Sequence, residues 1–445
     1  MKPRLPKGTR DFLPDETRKR NYIFDTIREV FRIYGYHPIE TPAMEALETL
    51  TGRYGDEGDK LLFRVLNNGD LLAEVDDKIL QDKDSNAILP YIAKRGLRYD
   101  LTVPFARYIV MNRHAIKLPF KRSAIQPVWR ADRPQRGRYQ EFYQCDADIA
   151  GSDSLYSEAE LVKLYDEVFR RLNLPVVIRI NSRKILQGII QSCGMGERFS
   201  EVAIIIDKLD KISDEKGKEL LVAKGFDPNE VNRLFELIHN TQLDSLKTTG
   251  VNALTQDGIS DLETICSLCQ STGLTNQLIF DPSLARGLSY YTGAIFEVTA
   301  LDANMGSIGG GGRYDNLTDS FGMPDIPGVG ISFGAERIYD LMEEKNLFPP
   351  EVIKKSGVLI LCMDAIAMET GFNLTSSLRN NHISTELYPE PGKVNKMMSY
   401  ANDNGYSHVI IIGSDEVASG LFTVKNMHSG IQQKLTSDEL LSQLV

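Results

Sequence analysis

Four arginines, Arg130, Arg133, Arg136 and Arg138, fall within nine residues of the stretch WRADRPQRGRYQEFYQCDADIAG, and Glu141, Asp146 and Asp148 follow at once. Arginine presents a planar fork of donors that matches phosphate or carboxylate oxygens. Pro134 and Gly137 mark a turn between two strand-like runs, so a hairpin could bring Arg130 and Arg138 to one anion. Tyr139 and Phe142 would then offer flat surfaces to a base. A surface hairpin with scattered ion pairs fits the same residues. The charge distribution adds weight to the anion. Lys94 to Arg138 carries 12 Lys/Arg against two acids, Asp100 and Asp132, in a chain of formal net charge −10. A local basic field of that kind steers and holds polyanions.

Three further patterns could bear chemistry. SIGGGGRYD holds four consecutive glycines, which let backbone approach a ligand closely but lack the spacing of a phosphate-binding or dinucleotide loop. A flexible turn is its ordinary reading. LARGLSYYTGAIFEV places Arg286 just before a glycine and near the adjacent Tyr290 and Tyr291, a combination that is more often structural than catalytic. Cys266 and Cys269 form a lone CxxC with no second pair, and the six histidines are dispersed. The spacing therefore predicts two half-buried thiols on a helix, and no dedicated metal site on the protein.

The elements that must position these residues alternate in period. Residues 17–34 carry apolar residues at helical spacing up to Gly35, and HPIETP reads as a short strand ending at Pro42. LRYDLTVPFARYIV reads as a strand, a break at Pro104 and a helix, followed by the two strands RSAIQPVWR and EFYQCDADIAG. An amphipathic helix over 157–172 leads to the strand VVIRIN. Residues 186–276 read as an inserted helical subdomain, after which AIFEVTA, GSIGGGGRYD and GVGISFGAERIYDLMEE return to strands and a final helix. From about 356, strands VLILCM, HISTELY and HVIIIG alternate with helices, which predicts a small α/β domain with a largely parallel sheet.

Composition bounds the rest. A chain of 445 residues with 42% hydrophobic and 25% charged residues predicts two or three globular domains. No apolar run reaches the roughly 20 residues of a membrane span. The N-terminus has no apolar signal segment, and five cysteines fit a reducing cytoplasm.

Together, in their order, these pieces resemble the class II aminoacyl-tRNA synthetases, and within them the histidyl-tRNA synthetase family. PKGTRDFLP resembles its N-terminal segment, GYHPIETP its dimer-forming motif 1, and LRYDLTVPFARY with WRADRPQRGRYQEFYQCDADIAG the eukaryotic-type motif 2 region. LARGLSYYTGAIFE and GGGGRYD resemble the two histidine-specific motifs, and GVGISFGAERI motif 3. The resemblance implies an α+β core, 1–185 and 277–345, built on an antiparallel sheet flanked by helices. It also implies a helical insertion over 186–276 and a C-terminal anticodon-binding α/β domain over 356–445. Local periodicity could not have chosen that antiparallel sheet.

The implied reaction joins L-histidine to ATP, releasing pyrophosphate, and passes the histidyl group to tRNA(His). Arg130 matches the motif 2 arginine that touches both the α-phosphate and the substrate carboxylate, and Arg286 the histidine-specific arginine on the other side of the phosphorus. Arg138 and Arg337 match contacts to the outer phosphates, with Phe142 stacked on adenine and Asp132 and Tyr139 nearby. Asp100, Thr102 and Gln144 match the holders of the substrate ammonium. Asp148 and Tyr291, with Tyr290 close, match the readers of the imidazole. Bacterial-type members often carry Glu where Asp100 and Asp148 stand, so the reach is one methylene shorter here. Arg133, Gln135 and Arg136 would face the tRNA acceptor end. The resemblance further implies Mg²⁺ on the phosphates, no prosthetic group, a homodimer, a cytoplasmic location and no membrane partner. A regulatory paralogue of histidine biosynthesis, a synthetase for proline, threonine or glycine, and an RNA-binding scaffold are the rivals. The first would have lost arginines that are all present here, and RGLSYYTG with QCDAD argues against the second. Four arginines at these places would be a coincidence in the third.

Overall fold

The computed structural model describes residues 2–209, 212–240, 242–248, 252–285, 290–353 and 357–444, with backbone alone at 56 and 57. The chain divides into two units, 1–347 and 348–445. The first is built on an eight-stranded sheet. In spatial order its strands are His37–Pro38, Phe120–Trp129, Glu141–Ala150, Gly328–Gly334, Gly309–Arg313, Ala294–Ala300, Val176–Ser182 and Gln277–Phe280. The five inner pairings are antiparallel, and only the two edge strands join in parallel. This is the mainly antiparallel sheet, flanked by helices, that the resemblance implied.

The first helix, Pro14–Ile33, begins three residues earlier than its periodicity predicts. Proline suits a first turn, where its missing N–H costs no bond, and the Glu16 carboxylate accepts the Leu13 N–H at 2.6 Å. Its buried stripe, Ile23, Phe24, Ile27, Val30 and Phe31, faces the core, and Gly35 ends it with φ +76°. Pro104 does not break its helix either. It sits in the first turn of Thr102–Met111, where no N–H is required of it, and the Asp100 carboxylate takes the Val103 N–H at 3.1 Å. The strand expected through Pro42 is shorter, only His37–Pro38. Beyond it the Thr41 carbonyl is held instead by the buried Arg98, whose Nη1 donates at 2.6 Å while its Nε donates to the Pro127 carbonyl at 2.8 Å.

The glycine run is a strand, not a turn. Every residue of Gly309–Arg313 is buried, and a Cβ at Gly311 would lie 2.1 Å from the Gly330 carbonyl oxygen. Only glycine lets these two strands approach so closely. Arg313 at its end forks onto Glu158 at 2.5 and 2.8 Å, and Glu158 has no exposed surface. Arg313→Ala strands that carboxylate in the core. The expected loss is about 3–5 kcal/mol, read as a lower urea midpoint with an unchanged denaturant slope.

Helices fill the stretch from Arg183 to Thr272 among the described residues, and Gln277–Phe280 then returns to the sheet edge beside Val177–Ile180. Cys266 and Cys269 lie on the helix Ala253–Thr272, the first half-buried and the second buried, with burial pushing the Cys269 thiol up to about 12. The second unit carries a five-stranded sheet in the order Thr385–Leu387, Val358–Cys362, His408–Ile412, Phe422–Asn426, Gln432–Leu435. The first three strands are parallel, as the alternation predicts, and the last two form an antiparallel hairpin that it does not. That hairpin turns at Gly430, φ +73°, and its polar outer strand QQKL lacks the apolar run that marks a buried strand.

Candidate active site

The arginine stretch is a hairpin. Phe120–Trp129 and Glu141–Ala150 pair along their whole length, and the tip closes between Gln135 and Arg138 around Gly137, φ +67°. Residues two apart on a strand share a face. Phe142, Gln144, Asp146 and Asp148 therefore form one row. Across the sheet, Asp148 stands opposite Arg122 on one neighbouring strand and Gly330 on the other, which in turn faces Gly312. The glycines lower the floor beside this row. A Cβ at Gly330 would meet Asp148 Oδ1 at 1.9 Å, and one at Gly312 would meet the Tyr291 ring at 2.9 Å.

A connected polar network runs over that floor. Asp100 is buried and accepts from Tyr54 Oη at 3.1 Å and Tyr290 Oη at 3.3 Å, besides the Val103 N–H. Tyr290 also shares a hydrogen bond with Thr102 and meets the rings of Tyr291 and Tyr314 edge-on, at 5.0 and 6.1 Å. Tyr314 Oη donates to Asp148 Oδ1 at 2.5 Å. Gln144 Nε2 donates to Ser332 Oγ at 2.9 Å, and Ser332 donates to Asp146. Burial pushes the carboxyls of Asp100, Asp146 and Asp148 above the usual range. The Val103 N–H and Arg130 hold Asp100 back, and Arg122 does so for the other two. Burial beside carboxylates raises Tyr54, Tyr290 and Tyr314 well above 10, so their hydroxyls stay protonated donors. Gln144 Oε1, Asp146 Oδ1 and Asp148 Oδ2 are buried and accept no hydrogen bond among the described residues. Three such acceptors in a row call for a ligand rich in N–H groups.

The cations stand beside this network. Arg130 donates from Nε to the Tyr99 carbonyl at 3.0 Å, and its guanidinium lies 4.2 Å from the Tyr99 ring and 5.2 Å from that of Phe142. Arg138 is two-fifths exposed, with Nη1 3.7 Å from Asp132 Oδ1. Arg337 supports the tip: Nε donates to the Gly137 carbonyl at 2.7 Å, and Nη1 donates to the Ser307 carbonyl. Tyr139 faces the N-terminal segment instead, its ring 4.1 Å from the Arg10 guanidinium and its hydroxyl 3.3 Å from Asp340 Oδ2. Arg133, Gln135 and Arg136 are exposed at the tip, with Arg136 paired to Glu344. Arg286 lies outside the described residues.

Sequence reasoning missed Arg122, Asp146, Tyr54, Tyr314 and Ser332. For Asp146 the signal was present, since a residue between Gln144 and Asp148 at period two must share their face. For the others it was not, because each reaches the site from a different segment.

A family model described as Histidyl-tRNA synthetase matches residues 8–74 and 93–338, and one described as Anticodon binding domain matches 357–445. The Histidine--tRNA ligase of Porphyromonas gingivalis is 51% identical over 444 residues, 98% of each chain. That of Cytophaga hutchinsonii is 49% identical with both chains covered in full. Among solved structures, histidyl-tRNA synthetase from Nostoc sp. PCC 7120 is similar at a TM-score of 0.82 and 30% identity, again over the whole of both chains.

Proposed function

Because the chain belongs to the histidyl-tRNA synthetase family, we propose that the acceptor row of its central sheet reads histidine while the neighbouring arginines hold ATP. The reaction is that of a histidine–tRNA ligase: histidine and ATP give histidyl-adenylate and pyrophosphate, and the histidyl group passes to the 3′ end of tRNA(His).

The observation that supports the site reading is the set of three buried acceptors, Gln144 Oε1, Asp146 Oδ1 and Asp148 Oδ2, that accept no hydrogen bond among the described residues, the last being ion-paired to Arg122 at 2.8 Å. Histidine brings an ammonium and a ring N–H. Asp100, Thr102 and Gln144 hold the ammonium, and Asp148 with Tyr291, backed by Tyr290, takes the ring nitrogens. A substrate without those groups leaves buried polar atoms unpaired, and sites of this kind discriminate by about 10⁴ or more. Arg130 and Arg286 flank the α-phosphate, where two cations lower the repulsion between carboxylate and phosphate and stabilise the charge that develops on attack. Arg138 and Arg337 meet the outer phosphates. Phe142 stacks on adenine, with Asp132 nearby and Tyr139 backing the site from the Arg10 side.

Among the described residues no three His, Cys, Asp or Glu side chains converge as metal ligands. Mg²⁺ would ride on the nucleotide's phosphates, with carboxylates and water completing its hard-oxygen coordination. The exposed tip, Arg133, Gln135 and Arg136, is placed to receive the tRNA acceptor end. Residues 356–445 carry five Lys/Arg against nine Asp/Glu, so anticodon binding there rests on stacking and hydrogen bonds to splayed bases more than on charge. A homodimer follows from the motif 1 resemblance and from the prevalence of two-fold assemblies. A substrate of cytoplasmic translation implies a cytoplasmic location, and no helix among the described residues is long and apolar enough to cross a membrane.

The experiment is ATP–pyrophosphate exchange with each amino acid in turn, followed by charging of tRNA. Histidine alone supports both steps. Exchange with proline, threonine or glycine, or histidine binding without exchange, would contradict the reading.

A further inference from the structure

We propose that Arg122, opposite Asp148 on the neighbouring strand, is a positioning residue for histidine recognition: it favours the ionised form of Asp148 next to the buried Asp146, so that Asp148 presents a charged acceptor to the imidazole. The inference rests on the reading of Asp148 given above and extends it to a group that does not touch the substrate.

Arg122 is 1% exposed. Its Nη2 lies 2.8 Å from Asp148 Oδ2 and 3.6 Å from Asp146 Oδ2, and donates to the Leu101 carbonyl at 3.1 Å. The guanidinium also sits 4.7 Å from the centre of the Phe105 ring. The approach to Asp148 is an ion pair without hydrogen-bond geometry. Strand, helix and loop thus fix the cation from three sides.

Charge accounting gives Arg122 its role. Two carboxylates sit on one face of one strand, both buried. The other groups facing them are the Tyr314 hydroxyl on Asp148, the Ser332 hydroxyl on Asp146, the like charge of Asp100, and Tyr36. None of these is a cation, but a second buried cation, Arg98, acts on Asp146 while its own donors are taken by the Thr41 and Pro127 carbonyls. Like charges in a dry site drive one of the pair to take up a proton, and a protonated carboxyl loses charge and accepting capacity at that oxygen. Arg122 offsets the like charge where it is nearest, at Asp148 beside the ring-binding position. Removing it raises the carboxyl pKa values. Histidine use would then be lost at low and neutral pH and return as the pH rises through the new, higher pKa.

The test is the pH profile of kcat/KM for histidine in pyrophosphate exchange, on the full chain, from about pH 6.5 to 9. The substrate's own titration is common to all variants and cancels in the comparison. Arg122→Met is expected to lower kcat/KM for histidine about a hundredfold near neutrality and to move the acid limb upward by about one pH unit or more, with KM for ATP within about twofold. Adding Asp146→Asn to Arg122→Met removes the like charge and is expected to restore about tenfold. Arg122→Lys keeps the cation and should keep the acid limb near its original place. A loss that is flat across pH, or that falls equally on histidine and ATP, overturns the proposal, as does a double variant without recovery. If Arg122→Met does not fold, Asp146→Asn alone decides. With Asp148 alone facing Arg122 the acid limb should move down, and an unmoved limb contradicts the proposal. A normal histidine KM in Asp148→Ala would remove the site reading itself. A raised KM there with unmoved limbs in the charge variants would remove only the role of Arg122.

Discussion

Arg286→Ala is expected to leave the chain folded and to cut histidine-dependent pyrophosphate exchange by about 10²–10³-fold, the usual effect of deleting one preorganised donor at developing charge. The argument is electrostatic. A carboxylate attacking an α-phosphate brings two anions together, and Arg130 by itself neutralises one side. The chain on both sides of Arg286 is anchored at the site. Asn181 Nδ2 donates to the Leu284 carbonyl at 2.9 Å, and Tyr290 Oη reaches Asp100 at 3.3 Å. Four residues, 286–289, separate Ala285 from Tyr290. Both KM values should change little compared with kcat, because the interaction belongs to the transition state. Exchange within a few-fold of the unmodified chain would refute the role.

Asp148→Ala is expected to raise KM for histidine by about a hundredfold or more while leaving KM for ATP within a few-fold. Its carboxylate is tied to Tyr314 and Arg122, neither of which belongs to the arginine cluster, so the nucleotide side should not feel the change. Two costs add. The substrate ring loses its charged acceptor, and Arg122 is left buried with Asp146 at 3.6 Å as its nearest remaining carboxylate. The second cost also predicts a lower thermal midpoint. Asp148→Asn keeps the shape and should recover stability more than histidine use. Equal losses for histidine and ATP would count against the assignment.

The hairpin and the acidic row behind it were legible because alternation and the Pro134–Gly137 turn are local signals. The register was not. Counting back from the tip pairing of Gln135 with Arg138 would set Ile125 opposite Asp148, whereas the strands actually pair Arg122 with Asp148. The irregular residues between Arg130 and Gln140 absorb the offset, and an odd shift of register turns the other face of a strand toward the site. Arg122 was therefore invisible to pattern reading. The glycine strand was opaque for a related reason. Glycine has little strand preference of its own, and its place is decided by the close approach of Gly330 across the sheet. The closing hairpin of the second unit was missed because its outer strand is short and polar. The antiparallel order of the central sheet came from family resemblance, since neighbours such as Glu141–Ala150 and Gly328–Gly334 lie far apart in the chain.

The proposed site divides between anions that serve the amino acid and cations that serve the nucleotide. Its most direct test is equilibrium binding of L-histidine alone and of ATP with Mg²⁺ alone, by calorimetry, to the unmodified chain, Asp148→Ala and Arg138→Ala. The predicted result is a crossed pattern. Asp148→Ala loses histidine affinity by about a hundredfold and keeps ATP, while Arg138→Ala loses ATP affinity by about tenfold and keeps histidine. Parallel losses in both variants, or the reverse assignment, would contradict the division of the site.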